Sequence, residues 1–110
     1  MKRYEIEEYI TSTGKSPFAD WLSYRKPKAL IRRILSRLER VRFGNFGDYK
    51  AISGTQNLYE LRDHSGPGYR IYFTISKGSI VVLLAGSEKR DQDRMITKAK
   101  EYLKDYLERN

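Results

Sequence analysis

Leu58-Tyr59-Glu60-Leu61-Arg62-Asp63-His64, Ser65-Gly66-Pro67-Gly68, Tyr69-Arg70-Ile71-Tyr72-Phe73-Thr74-Ile75-Ser76 and, after Lys77-Gly78, Ser79-Ile80-Val81-Val82-Leu83-Leu84-Ala85 form the stretch that decides the fold. Apolar residues alternate with polar ones in the first two runs, which is the period of a half-buried strand. The Gly-Pro-Gly and Lys-Gly connections are tight turns, so 58–64, 69–76 and 79–85 read as strands joined in hairpins. Alternation sends Tyr69, Ile71, Phe73 and Ile75 to one face and Arg70, Tyr72 and Thr74 to the other. The unbroken apolar run 80–85 suits a central strand covered on both faces.

Working outward, residues 49–52 read as a short strand before the turn Ser53-Gly54-Thr55-Gln56-Asn57, and 44–48 as a glycine-rich loop. Upstream of it a helix is expected from near Pro27 to about Phe43. Leu30, Ile31, Ile34, Leu35, Leu38 and Val41 form its apolar stripe, with Arg32, Arg33, Arg37 and Arg40 projecting elsewhere. Ser16-Pro17 reads as a cap and first position of a shorter helix carrying Phe18, Trp21 and Leu22, stopped by Lys26-Pro27. Residues 3–10, with Tyr4, Ile6 and Ile10 in alternation, predict a first strand. Downstream, Gly86 to Asp91 is expected to be a charged loop. Asp91 would cap a last helix that turns Ile96, Ala99, Leu103 and Leu107 to the core. The order is β-α-α-β-β-β-β-α over one domain, residues 1–110. This is an α+β fold: an antiparallel-rich sheet, an N-terminal helical hairpin on one face and a C-terminal helix.

Composition narrows the function. The chain has no cysteine and a single histidine, His64, which leaves no thiolate site and too few soft ligands for a transition metal. No run approaches the roughly 18 apolar residues that cross a bilayer. Glu5, Glu7 and Glu8 stand where a signal peptide would be apolar, so a cytoplasmic protein is expected. The net charge is +8, and residues 25–42 hold eight cations against Glu39 alone. A positive field so localised draws polyanions, nucleic acid above all, or an acidic protein partner. Lys28, Arg32, Arg33, Arg37 and Arg40 on that helix, with Lys50 and Arg90, are the expected RNA or ribosome contacts; a solvated helix face is the plainer reading of the same charges.

Two clusters could carry chemistry. If Arg62 lies opposite Arg70, or two residues away, both guanidiniums emerge on one face, and two adjacent cations suit a phosphate. The alternative pairs each arginine with a nearby acid. The second cluster is Gly86-Ser87-Glu88-Lys89-Arg90-Asp91, where Lys89 and Arg90 could stabilise a phosphate's developing charge or simply begin a helix. Asp91 and Asp93 read as helix-start residues rather than metal ligands.

The segments Leu58 to Arg62, Gly66-Pro67-Gly68-Tyr69-Arg70-Ile71-Tyr72-Phe73 and Leu83 to Lys89 with Gln92-Asp93 resemble addiction-module killer proteins. These form a HigB-like, often phage-associated branch of the RelE/ParE toxin superfamily. The likeness extends to Phe18–Leu22 and to the basic helix ending in 42–48. It implies a toxin of a type II toxin–antitoxin pair, a metal-independent and cofactor-free endoribonuclease that cuts mRNA on the ribosome. It also implies a separately encoded antitoxin, commonly of helix-turn-helix type. By position it assigns the catalytic phosphate contacts to Arg62, Arg70 and Lys89, with Arg90 beside them. The RelE pattern has lysines on the preceding strand, where this chain has Glu60 and Arg62. It has a tyrosine early in the last helix, where this chain has Arg94, Met95 and Ile96. The general base is open among Glu60, Lys50 and His64. A noncatalytic ParE-like gyrase inhibitor and a plain nucleic-acid-binding module are the alternatives.

Overall fold

The computed structural model describes residues 2–110. Along the chain come β1 (Glu5–Glu8), α1 (Pro17–Ser23), α2 (Lys28–Arg42), β2 (Tyr49–Ala51), β3 (Tyr59–Asp63), β4 (Tyr69–Ser76), β5 (Ile80–Glu88), a one-turn 3-10 helix (Lys89–Asp91) and α3 (Gln92–Arg109). The five strands form one sheet in the order β1-β5-β4-β3-β2. Strands β2 to β5 run antiparallel through the expected hairpins, but β1 lies parallel to β5, so the sheet is mixed. The partner of β1 comes more than seventy residues later in the chain, and no local turn sets its direction. Among the described residues, no helix is long and apolar enough to cross a membrane.

Strands β4 and β5 are buried on both faces. On one face, Leu61, Ile71, Phe73, Val81 and Leu83 pack against Phe18 of α1 and Ile34, Leu38 and Val41 of α2. On the other, Tyr72, Val82, Leu84 and Ala85 pack against Ala99 and Leu103 of α3. A bulge makes this possible. Tyr72 pairs with Ala85 and Phe73 with Leu83, so Leu84 is the extra residue, and Leu84 and Ala85 both join the α3 side.

Several boundaries differ from the sequence reading. Strand β5 continues through Gly86, Ser87 and Glu88 rather than ending in a loop, because its ladder with Ile71, Arg70 and Tyr69 of β4 continues, and glycine at 86 leaves room for the Trp21 ring. Asp91 stands at the cap of α3 without a side-chain bond to it, whereas Ser16 Oγ does accept from Ala19 N at 3.1 Å in α1. Ile10, Leu35 and Leu107 are exposed rather than in the core; Tyr9 is buried in place of Ile10.

Arg37 is the sharpest correction on α2. It was expected on the solvent face, yet it is 8% exposed and donates to the carbonyls of Arg62 at 2.6 Å, Asp48 at 2.7 Å and Phe46 at 3.0 Å. Beyond the short β2 the ladder leaves the Arg62 and Phe46 carbonyls without a backbone partner, and the guanidinium fork reaches both while adding a second bond to the Asp48 carbonyl, which already accepts from Arg62 N at 2.9 Å. Periodicity placed Arg37 among polar residues but could not show which carbonyls lay above it.

Arg37→Met should therefore destabilise the fold by about 3 kcal/mol by leaving the Phe46 and Arg62 carbonyls without their partner, read as a lower urea midpoint. A Cβ on Gly86 would stand 2.2 Å from Trp21 Cε3. Gly86→Ala should cost about 1–3 kcal/mol by overpacking and change Trp21 emission in the native state. Wild-type midpoints in either variant would contradict these assignments.

Candidate functional site

The hairpin register sets Arg62 directly opposite Arg70, and Arg70 opposite Ser87 of β5; one rung further in, Lys50, Glu60, Tyr72 and Ala85 are partners across four strands. Directly opposed residues face the same side of a sheet. Tyr72 belongs to the α3 side, so both polar rungs lie on that side, at the end where α3 begins.

The inner group is sealed. Glu60 is 0% exposed and Arg70 3%. The Gln92 amide of α3 donates to both Glu60 oxygens at 3.1 and 3.0 Å. Arg70 Nε faces Glu60 Oε2 at 3.8 Å, beyond hydrogen-bond reach, and is a buried donor without a partner. Arg70 Nη1 makes two long bonds, to the carbonyls of Asp63 at 3.3 Å and Tyr69 at 3.2 Å. The two charges offset each other but are loosely held. Beside them Tyr72 and Ser87 share a 2.9 Å hydroxyl–hydroxyl bond, and burial pushes the Tyr72 phenol up to about 12, so it stays neutral.

The outer group is accessible. Arg62 donates to Asp48 Oδ1 from Nη2 at 2.8 Å and from Nε at 3.3 Å; His64 Nε2 lies 2.9 Å from Asp48 Oδ2. Arg62 first, and then His64, holds the Asp48 carboxyl below its ordinary value. His64 is exposed, as is Lys89. Lys89 N donates to Gly68 O at 3.3 Å. Gly68 has φ +69, and a Cβ there would meet Asp63 O at 2.9 Å, with Lys89 Cβ at 3.5 Å and Arg70 Nη1 at 3.8 Å. Glycine in the 65–68 turn thus lets Lys89 and Arg70 close in on the same corner.

Arg62, Arg70 and Lys89 are brought to one end of the sheet, though not as expected. Each arginine has its own carboxylate, and the Arg70 guanidinium points inward instead of emerging. The remaining cations are dispersed. Lys28, Arg32, Lys50 and Arg90 are exposed, the last with its Nε 3.6 Å from Glu88. Arg33 pairs with Asp63 at 2.7 Å, and Arg40 donates to Ser36 at 3.4 Å. Arg33, Arg37 and Arg40 line a cleft of about 400 Å³ with Asp48 and Asp63. Sequence reasoning named Ser87 only within the charged 86–91 cluster, Gln92 only within the resembling segments and Asp48 only within the 44–48 loop; it missed their contacts with Tyr72, Glu60 and Arg62. Asp48 and Gln92 come from outside the hairpin that carries their partners, and the Ser87–Tyr72 bond depends on the β4–β5 register past the bulge, so no spacing in the sequence marks these contacts.

No protein-family model matches this chain. A protein of Haemophilus influenzae, described as an uncharacterized protein, is 41% identical to it over 83 residues, spanning 76% of this chain and 82% of that protein. This chain belongs to the same family as that Haemophilus influenzae protein.

Proposed function

We propose that this protein is the toxin of a type II toxin–antitoxin pair, a RelE/ParE-like endoribonuclease acting without metal on mRNA at the ribosome, in the cytoplasm, and held in check by an antitoxin protein. The observation that carries the reading is the cross-strand pairing of Arg62 with Arg70 beside Lys89 and an accessible His64. The mixed α+β sheet with helices on both faces is compatible with such a fold. In this reading the ribose 2′-oxygen attacks the adjacent phosphorus and the bond from phosphorus to the 5′-oxygen breaks. A 2′,3′-cyclic phosphate and a 5′-hydroxyl result. The 2′-proton passes to a base, and the 5′-oxygen takes a proton on leaving. Arg62 and Lys89 bind the phosphate and stabilise the charge it gains.

Of the candidate bases, Glu60 is sealed under Gln92 and Lys50 is a cation. His64 is exposed and oriented by a carboxylate, the arrangement a general base requires. Arg70 backs the phosphate from below once Glu60 and Gln92 loosen their hold. If the buried Glu60–Arg70 pair never opens, Arg70 is structural, and a noncatalytic ParE-like gyrase inhibitor or a plain nucleic-acid-binding module is the alternative.

Primer extension on mRNA minutes after induction tests the proposal. The wild type should produce discrete cuts inside translated frames. Lys89→Ala and His64→Ala change exposed side chains and should keep the fold. Each should lower cutting by about a hundredfold. Arg70→Ala strands a buried carboxylate at a cost of about 3–5 kcal/mol, so its loss of toxicity counts only if circular dichroism is unchanged. Intact mRNA with arrested growth and DNA damage would replace the nuclease with a gyrase inhibitor. Full cutting by His64→Ala and none by Glu60→Gln would move the base to Glu60.

A further inference from the structure

A groove of about 420 Å³ lies between the α1–α2 corner and the Ser65–Gly68 turn. Its apolar walls are Trp21, Tyr24, Pro27 and Leu30 on one side and Pro67 and Tyr69 on the other. Tyr24 follows the last turn of α1 and is 77% exposed, with no aromatic neighbour among the described residues. The charged lining is Arg25, Lys26 and Arg33 against Glu88. Arg25 sits 4.8 Å from the Trp21 ring centroid and 3.5 Å from Glu88, and Arg33 is bound to Asp63. Lys26 is exposed and has no ion pair among the described residues.

Two features select the occupant. Aromatic surface interleaved with cations is how proteins hold single-stranded nucleic acid: a ring takes the base and a cation the backbone. The groove lies on the α1–α2 face of the sheet and the Arg62–Arg70 rung on the α3 face; the two meet at the end of the sheet, at the Ser65–Gly68 turn that walls the groove and whose Gly68 stands against Lys89. We propose that the groove is a nucleobase subsite, taking a base of single-stranded RNA whose backbone passes over the Ser65–Gly68 turn from the phosphate held by Arg62 and Lys89. Tyr24 stacks on that base, and Lys26 meets its backbone phosphate. Every base has a π-face, so the subsite tolerates any sequence. The inference rests on the nuclease reading and extends it to a second point of contact.

Trp21 is the single tryptophan of the chain, and it lines the groove. Its emission therefore reports occupancy without any need for cleavage. The probe is a short single-stranded RNA with 2′-O-methyl riboses, which cannot be cut. Expected are a saturable change in Trp21 emission that weakens with salt, and a roughly tenfold loss of affinity in Tyr24→Ala at unchanged circular dichroism. RNA binding with silent Trp21 emission and unaltered affinity in Tyr24→Ala would overturn the subsite. If Lys89→Ala still abolished cutting in that case, the nuclease reading would stand alone. Failure to bind or cut RNA at all would remove both. A Trp21 response to poly-glutamate but not to RNA would overturn the proposal and assign the groove to an acidic protein partner.

Discussion

Strands β4 and β5 are covered on both faces, and their polar side chains have to be satisfied within the protein. Most of β4 and β5 meets this demand by being apolar. Where α3 begins, it does not: Arg70, Tyr72 and Ser87 lie buried in the same two strands, and Glu60 joins them from β3. Burial of Arg70 requires a counter-charge, Glu60 supplies it, and Gln92 caps the carboxylate from α3. The start of the last helix is thereby tied to the hairpin, and the outer cluster of Arg62, Asp48 and His64 is positioned on top. Arg37 closes the structure from the opposite side, holding the carbonyls of Asp48 and Arg62 and so fixing the backbone on which the outer cluster stands.

Much of this was legible in the sequence, because the strand and helix periods are strong here. The hairpins, both helices of the N-terminal pair and the doubly buried β5 follow from alternation, caps and turn residues. Arg62 and Arg70 share a face because the Gly66-Pro67-Gly68 turn fixes the register. What could not be read are relations between distant elements. The parallel pairing of β1, the inward turn of Arg37 and the Gln92–Glu60 contact each join segments far apart in the chain. Charge gave the wrong cue at Arg37 and Arg70: both are cations that periodicity placed beside solvent, and both are drawn inside by acceptors that only the assembled fold provides.

The charge of the 25–42 segment has a different meaning once its partners are known. Arg37 is structural, Arg33 ties α2 to the end of β3, and Arg25 lies between Trp21 and Glu88. Lys26, Lys28, Arg32, Arg40 and Arg42 remain exposed. The basic helix is therefore as much a strut for the candidate site as a surface for polyanions. The aromatic groove at its start and the outer cluster lie on opposite faces of the sheet and flank the same Ser65–Gly68 turn, so in the proposed reading RNA is held at two points on either side of it.

The central claim is that a phosphate binds where β3 and β4 place Arg62 opposite Arg70. The most direct measurement is nuclear magnetic resonance of the arginine Nε–H groups, titrated with an uncleavable RNA. The account predicts that the Arg62 and Arg70 signals shift together and saturate at one concentration, with Arg70 Nε gaining the partner it lacks. Shifts confined to exposed helix arginines such as Arg32 and Arg40, with Arg62 and Arg70 unmoved, would contradict it and leave the paired arginines as a structural feature of the sheet.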